Sequence, residues 1–138
     1  MEHVRKKVLW MTHTDAGYKK LFANQEKRIH TGTWIEALLK PYLIYGCNEL
    51  GVIFHAEKKE DKIRKYNNVT YFPVFDSTKQ YALSRIGKKI LGRIIWNELM
   101  DEYLKIIENF RPDIIHIFGT EEDFGLITKY TDVPVVLS

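Results

Sequence analysis

Residues 111–138 read RPDIIHIFGTEEDFGLITKYTDVPVVLS, and the succession of signals in this stretch decides the fold class. Pro112 closes the helix before it, because the residue ahead of a proline is driven away from helical dihedrals. Ile114, Ile115, His116, Ile117 and Phe118 make a nearly continuous apolar run, as expected of a strand buried on both faces of a parallel sheet. Gly119 breaks the run. Thr120 is placed to cap a short helix over 121–130, Asp132, Val133 and Pro134 form a turn, and Val135, Val136 and Leu137 read as a last buried strand.

Upstream, residues 88–110 carry a helical period. Leu91, Ile95, Leu99, Tyr103, Ile106 and Phe110 recur every three or four positions, with Arg93, Asn97, Asp101, Lys105 and Glu108 off that stripe. VTYFPVF (69–75) reads as a strand, and Pro73 within it favours an edge position. The charged stretch EKKEDKIRKYNN before it has both signs and reads as a solvated connection ending in an Asn-Asn turn. LGVIFH (50–55) is the second strand by its β-branched and aromatic content. A helix begins at Thr33 or Trp34, where Trp34, Leu38 and Tyr42 join Ile35, Leu39 and Leu43 in one broad apolar face. Val8, Leu9, Trp10 and Met11 are the first strand, separated from that helix by a long polar loop without a clear period. Trp10, Trp34 and Trp96 all fall on apolar faces and read as core.

Apolar strands alternating with amphipathic helices predict an α/β fold, a Rossmann-like, doubly wound parallel sheet with helices on both faces and strand order 3-2-1-4-5. Composition agrees. The chain has 138 residues, 45% hydrophobic and 28% charged, with eight Gly and four Pro in no low-complexity tract, as in one globular domain. No apolar run approaches the roughly 18 residues of a membrane-spanning helix, and the apolar segment behind Arg5, Lys6 and Lys7 is too short for a signal peptide. Cys47 is the single cysteine, without a disulfide partner or metal-ligand spacing, so the expected setting is cytoplasmic. No metal and no cofactor is expected.

The net charge of +3 is mild, yet Lys79, Arg85, Lys88, Lys89 and Arg93 fall in a window without any acidic residue. This segment suits a phosphate-bearing ligand or an anionic membrane surface, and equally a solvated connection into the long helix. No nucleic-acid motif accompanies it. In open α/β sheets ligands bind past the carboxyl ends of the strands where their order reverses. That rule selects Thr12, His13 and Thr14 after the first strand, and Gly119, Thr120 and Glu121 after the fourth. Gly32 and Thr33 open the first helix, where a glycine admits close backbone approach and free N–H groups favour an anion. His13 and His30 read equally as surface residues, His116 as a core histidine, and Glu121 as a first-turn acid that complements the helix dipole.

KKVLWMTHT (6–14), TGTWIEALLKPY (31–42), ELGVIF (49–54), VTYFPVF (69–75), RPDIIHIFGTE (111–121) and VPVVLS (133–138), in this order, resemble the N-terminal domain of retaining GT-B fold glycosyltransferases of family 4. The resemblance covers nearly the whole chain. It implies that residues 1–138 are one Rossmann-like, acceptor-side domain of a two-domain enzyme, a hexosyltransferase. That enzyme would transfer a sugar from a nucleotide-sugar donor to a glycan or lipid-linked acceptor in polysaccharide or cell-envelope biosynthesis. It further implies that the donor is held mainly by a C-terminal domain and that residues 1–138 alone transfer no sugar. By the same resemblance Gly32 and Thr33 match the donor-diphosphate loop. Thr12, His13, Thr14, His116, Gly119, Thr120 and Glu121 lie on the acceptor side, and Lys79, Arg85, Lys88, Lys89 and Arg93 would meet the acceptor or the inner face of the membrane. The chain departs from the family at Thr31, where a second glycine is common, and at Phe118, which stands where many members carry the second histidine of a DxxHxH pattern. No catalytic residue is therefore assigned. The competing expectation is a stand-alone phosphate- or nucleotide-binding module of flavodoxin-like topology without catalysis.

Overall fold

The apolar runs become the sheet. In the computed structural model, which describes residues 5–22, 33–45, 48–76, 85–119 and 123–138, β1 (Lys7–Met11) lies between β2 (Glu49–Ala56) and β5 (Ile114–Ile117), parallel to both. β4 (Val69–Phe75) pairs in parallel with the far side of β2, and β6 (Val135–Leu137) with the far side of β5. β3 (Arg64–Tyr66) adds an antiparallel edge, giving the order β3-β4-β2-β1-β5-β6. This differs from the expected order by the added strand, while the five parallel strands stand third, second, first, fourth, fifth. Asn67, at φ 53°, takes the left-handed conformation that closes the β3–β4 turn, one of the few that asparagine tolerates well.

Alternation along each strand divides the core between two faces. Leu9, Met11, Ile53 and Phe72 face α3 (Arg85–Phe110) and a 3-10 helix (Asp123–Lys129). Trp10, Val52, Phe54 and Tyr71 face α1 (Tyr18–Phe22) and α2 (Thr33–Tyr45). Gly51 lets α3 come close: a Cβ there would sit 2.9 Å from Leu9 Cδ1, 3.0 Å from Phe72 Cε2 and 3.2 Å from Phe110 Cε1. Across the same face His55 Nε2 and the Tyr103 hydroxyl lie 2.8 Å apart, a polar tie between β2 and α3.

The end of α3 fixes the start of β5. Arg111 adopts φ 54° and its N–H donates to the Ile107 carbonyl at 2.9 Å, a left-handed helix stop just ahead of buried Pro112. The Lys7 N–H donates to Asp113 Oδ2 at 2.8 Å, and the Asp113 N–H donates to the Lys7 carbonyl at 2.7 Å. Asp113 therefore locks β5 against β1 at the amino end of the sheet.

Several expectations are corrected. Trp34 and Leu38 are 52% and 45% exposed, because α2 meets the sheet through the stripe of Ile35, Leu39 and Tyr42. Trp10 is core, and Trp96 lies outside the described side chains. Pro73 is not in an edge strand, but β3 pairs with β4 only as far as Tyr71, so the sheet ends at β4 beyond that point. Ile107 rather than Ile106 is fully inside on α3. The polar loop after β1 contains α1, and the charged connection contains β3. The last strand is not buried: Val136 and Leu137 are exposed, since β6 is an edge.

Candidate functional site

The strand order reverses between β1 and β5, and the ladder continues past both. The Thr12 N–H donates to the Ile53 carbonyl (2.9 Å), the Phe118 N–H to the Met11 carbonyl (3.0 Å) and the Gly119 N–H to the Ser138 carbonyl (2.8 Å). These bonds hold the carboxyl-end residues in register. Gly119 sits at φ 88°, a conformation that an L side chain rarely adopts, and the nearest atom to its missing Cβ is His13 Nδ1 at 3.9 Å. His13 and Gly119 thus face each other across the reversal point.

From Thr12 the chain turns sharply. The Thr12 side chain is fully buried and its hydroxyl donates to the Thr14 carbonyl. The Thr14 Oγ1 is itself buried with no hydrogen-bond partner among the described residues. Asp15, Ala16, Gly17 and Tyr18 then form a tight turn: the Tyr18 N–H donates to the Asp15 carbonyl and the Gly17 N–H to Asp15 Oδ1, each at 3.0 Å. The two central residues have positive φ, 47° at Ala16 and 87° at Gly17, as a primed turn demands. The buried Tyr71 hydroxyl, delivered by β4, donates to the Ala16 carbonyl at 3.0 Å and pins the turn. Burial raises the Tyr71 pKa above the ordinary phenol range, and the nearby carboxylates of Asp15 and Glu36 push it further in the same direction. Glu36 also flanks Gly17, 3.8 Å from where its Cβ would be.

The other wall is aromatic. Phe118 packs edge-on to Trp10 at 5.1 Å and to Trp34 at 5.6 Å between ring centroids, and it stacks on His116 at 4.0 Å. His116 Nε2 lies 2.8 Å from Ser138 Oγ, and partial burial lowers the imidazole pKa below its ordinary value. Phe118 is thus the hub of this cluster.

Of the residues expected from the sequence, Thr12, His13, Thr14, His116 and Gly119 gather at the carboxyl edge around the reversal. Thr33 is the first residue of α2. Gly32, Thr120, Glu121 and Lys79 lie outside the described residues. Arg85, Lys88, Lys89 and Arg93 are all on α3, which begins three residues before the helical period read from the sequence. Asp15, Glu36, Tyr71 and the exposed face of Trp34 were not anticipated. Two signals point to them: the DAG triplet, a turn composition, and a tyrosine in a buried strand, whose hydroxyl must find a partner. Among the described residues, no three His, Cys, Asp or Glu side chains cluster as metal ligands, and no helix is long and apolar enough to cross a membrane. Comparison of the chain with protein-family models, with curated proteins and with solved structures gives no match.

Proposed function

We propose that this Rossmann-like domain is the acceptor-binding part of a retaining, nucleotide-sugar-dependent glycosyltransferase. The acceptor is a glycan or a lipid-linked saccharide in polysaccharide or cell-envelope synthesis, and the basic start of α3 meets its phosphate or the inner membrane surface. The observation that carries this reading is the surface at the strand-order reversal. There an exposed indole, two imidazoles and two carboxylates surround the ends of β1 and β5, and the lysine that follows the site turn, Lys19, is paired with Glu57. A neutral, polyhydroxylated ligand suits that chemistry better than a bare phosphate, because carboxylates accept hydrogen bonds from hydroxyls and repel anions. The order of the six quoted motifs supports the same reading.

Two parallel measurements test it. The purified chain is applied to an array of immobilised oligosaccharides of glucose, galactose, mannose and N-acetylglucosamine, and is titrated calorimetrically with UDP, GDP, ADP and inorganic phosphate. Saccharide retention without tight nucleotide or phosphate binding is expected. The opposite pattern sinks the proposal and identifies the flavodoxin-like nucleotide or phosphate module instead.

A further inference from the structure

We infer that Trp34 is the stacking platform for a pyranose ring of the ligand, an inference that rests on the saccharide-binding reading above. An exposed tryptophan on an amphipathic helix calls for a reason, since indole is among the most costly side chains to leave in water. Packing supplies none. Ile35 and Leu39 dock α2 on the sheet and are buried, while Trp34 keeps 52% of its surface exposed. Among the described residues its one ring contact is with Phe118, at an interplanar angle of 68°, so no ring stacks in parallel on the indole.

Position adds a second argument. Trp34 stands in the first turn of α2 and touches Phe118, the residue between the end of β5 and Gly119. This is the carboxyl edge of the sheet, where the order reverses. Phe118 connects the indole to hydrogen-bonding groups on both sides: His116 with Ser138 through the stacked ring, and His13 through Gly119. An aromatic face bordered by donors and acceptors matches a pyranose, which has an apolar C–H face and an equatorial rim of hydroxyls.

The surroundings disfavour other occupants. A protein or lipid surface needs a contiguous apolar patch of several hundred Å². Among the described side chains of α2 only Leu38 joins Trp34 as a large exposed apolar residue, and Ala37, Lys40 and Pro41 are exposed beside them. One indole and one leucine provide a footprint suited to a sugar ring.

The test extends the oligosaccharide array to Trp34→Ala and Trp34→Phe, with urea unfolding of each variant to check the fold. Trp34→Ala should weaken retention of whichever oligosaccharide binds by about tenfold, the scale of one aromatic stacking contact, and Trp34→Phe should fall between. In the unaltered protein the same oligosaccharide, added free, should shield tryptophan fluorescence from acrylamide, because Trp34 is open while Trp10 is buried; loss of that shielding in Trp34→Phe assigns it to Trp34 and not to Trp96. The shielding itself needs no variant to fold. Retention unchanged in Trp34→Ala, or quenching unchanged by a bound oligosaccharide, overturns the platform and leaves the saccharide-binding reading standing. No retention of any oligosaccharide by the unaltered chain overturns both.

Discussion

Replacing Tyr71 by phenylalanine removes one oxygen atom, and the structure says what that atom does. Its hydroxyl donates at 3.0 Å to the carbonyl of Ala16, inside the core and 55 residues away along the chain. Ala16 is held at φ 47°, a left-handed conformation that costs an L residue about 1–2 kcal/mol. Without the hydroxyl the Ala16 carbonyl is a buried acceptor with no donor, at a cost of about 1–3 kcal/mol. The variant should lose about that much stability, seen as a urea midpoint lowered by on the order of 1 M with an unchanged slope. Hydrogen exchange should localise the effect, since the Gly17 and Tyr18 amides that close the turn would lose protection before those of β1 and β2. Alkaline titration gives an independent reading. Because the folded pKa of Tyr71 is raised above the ordinary value near 10.0, its contribution is fully present below pH 10.0 and is lost as the pH rises towards the folded value. Tyr71→Phe should flatten that alkaline decline. A variant with an unaltered midpoint and full protection at Tyr18 would refute the idea that β4 holds the site turn in place.

Two further perturbations follow from packing and charge. Gly51→Ala places a methyl 2.9 Å from Leu9 Cδ1 and against the rings of Phe72 and Phe110, so it should destabilise by about 1–3 kcal/mol through overpacking; stability equal to that of the unaltered protein by urea unfolding would show that α3 moves freely off β2. The His116 pKa is lowered by burial, so its contribution is present above the ordinary value near 6.5 and is lost as the pH falls through the folded value; between about pH 7 and pH 5 His116→Gln should show a shallower decline in urea midpoint than the unaltered protein, and identical slopes would contradict this.

The strands that could be read from the sequence are the ones buried on both faces. Continuous runs such as VLWM and IIHIF need no periodicity to be recognised, and their β-branched content separates them from helix. β3 could not be seen in this way. Its three residues, Arg64, Lys65 and Tyr66, are all exposed, and what makes them a strand is the Asn67 turn and the open backbone of β4. Trp34 misled for a different reason. Apolar residues surround α2 almost completely, so the sequence alone does not say which stripe meets the sheet. The rule of strand-order reversal was enough to place Thr12, His13, Thr14 and Gly119 at the carboxyl edge of the sheet. Asp15, Glu36 and Tyr71 reach the same place from a turn, a helix and a distant strand, and only the tertiary register brings them together.

The stretch that decides the fold also divides its own labour. Asp113 is engaged with Lys7 at the amino edge of the sheet, whereas His116, Phe118 and Gly119 lie at or towards the carboxyl edge. α3 connects the two edges. It ends at Phe110, whose carbonyl accepts from Lys7 Nζ at 3.2 Å at the amino edge. A straight helix of its 26 residues is ~39 Å long, against ~26 Å for the eight residues of β2. Laid along the strands, a helix of that length would carry its opening turns, with Arg85, Lys88, Lys89 and Arg93, to the carboxyl edge. A sugar ring on Trp34 and a phosphate near the start of α3 would then lie at the same edge of the sheet, approached from its two faces, so a phosphate-linked saccharide would have to reach over that edge. Lys88→Glu combined with Lys89→Glu should therefore weaken binding of a glycosyl phosphate while leaving retention of the matching neutral oligosaccharide unchanged. Equal losses for both ligands, or none for either, would separate the basic turns from the acceptor.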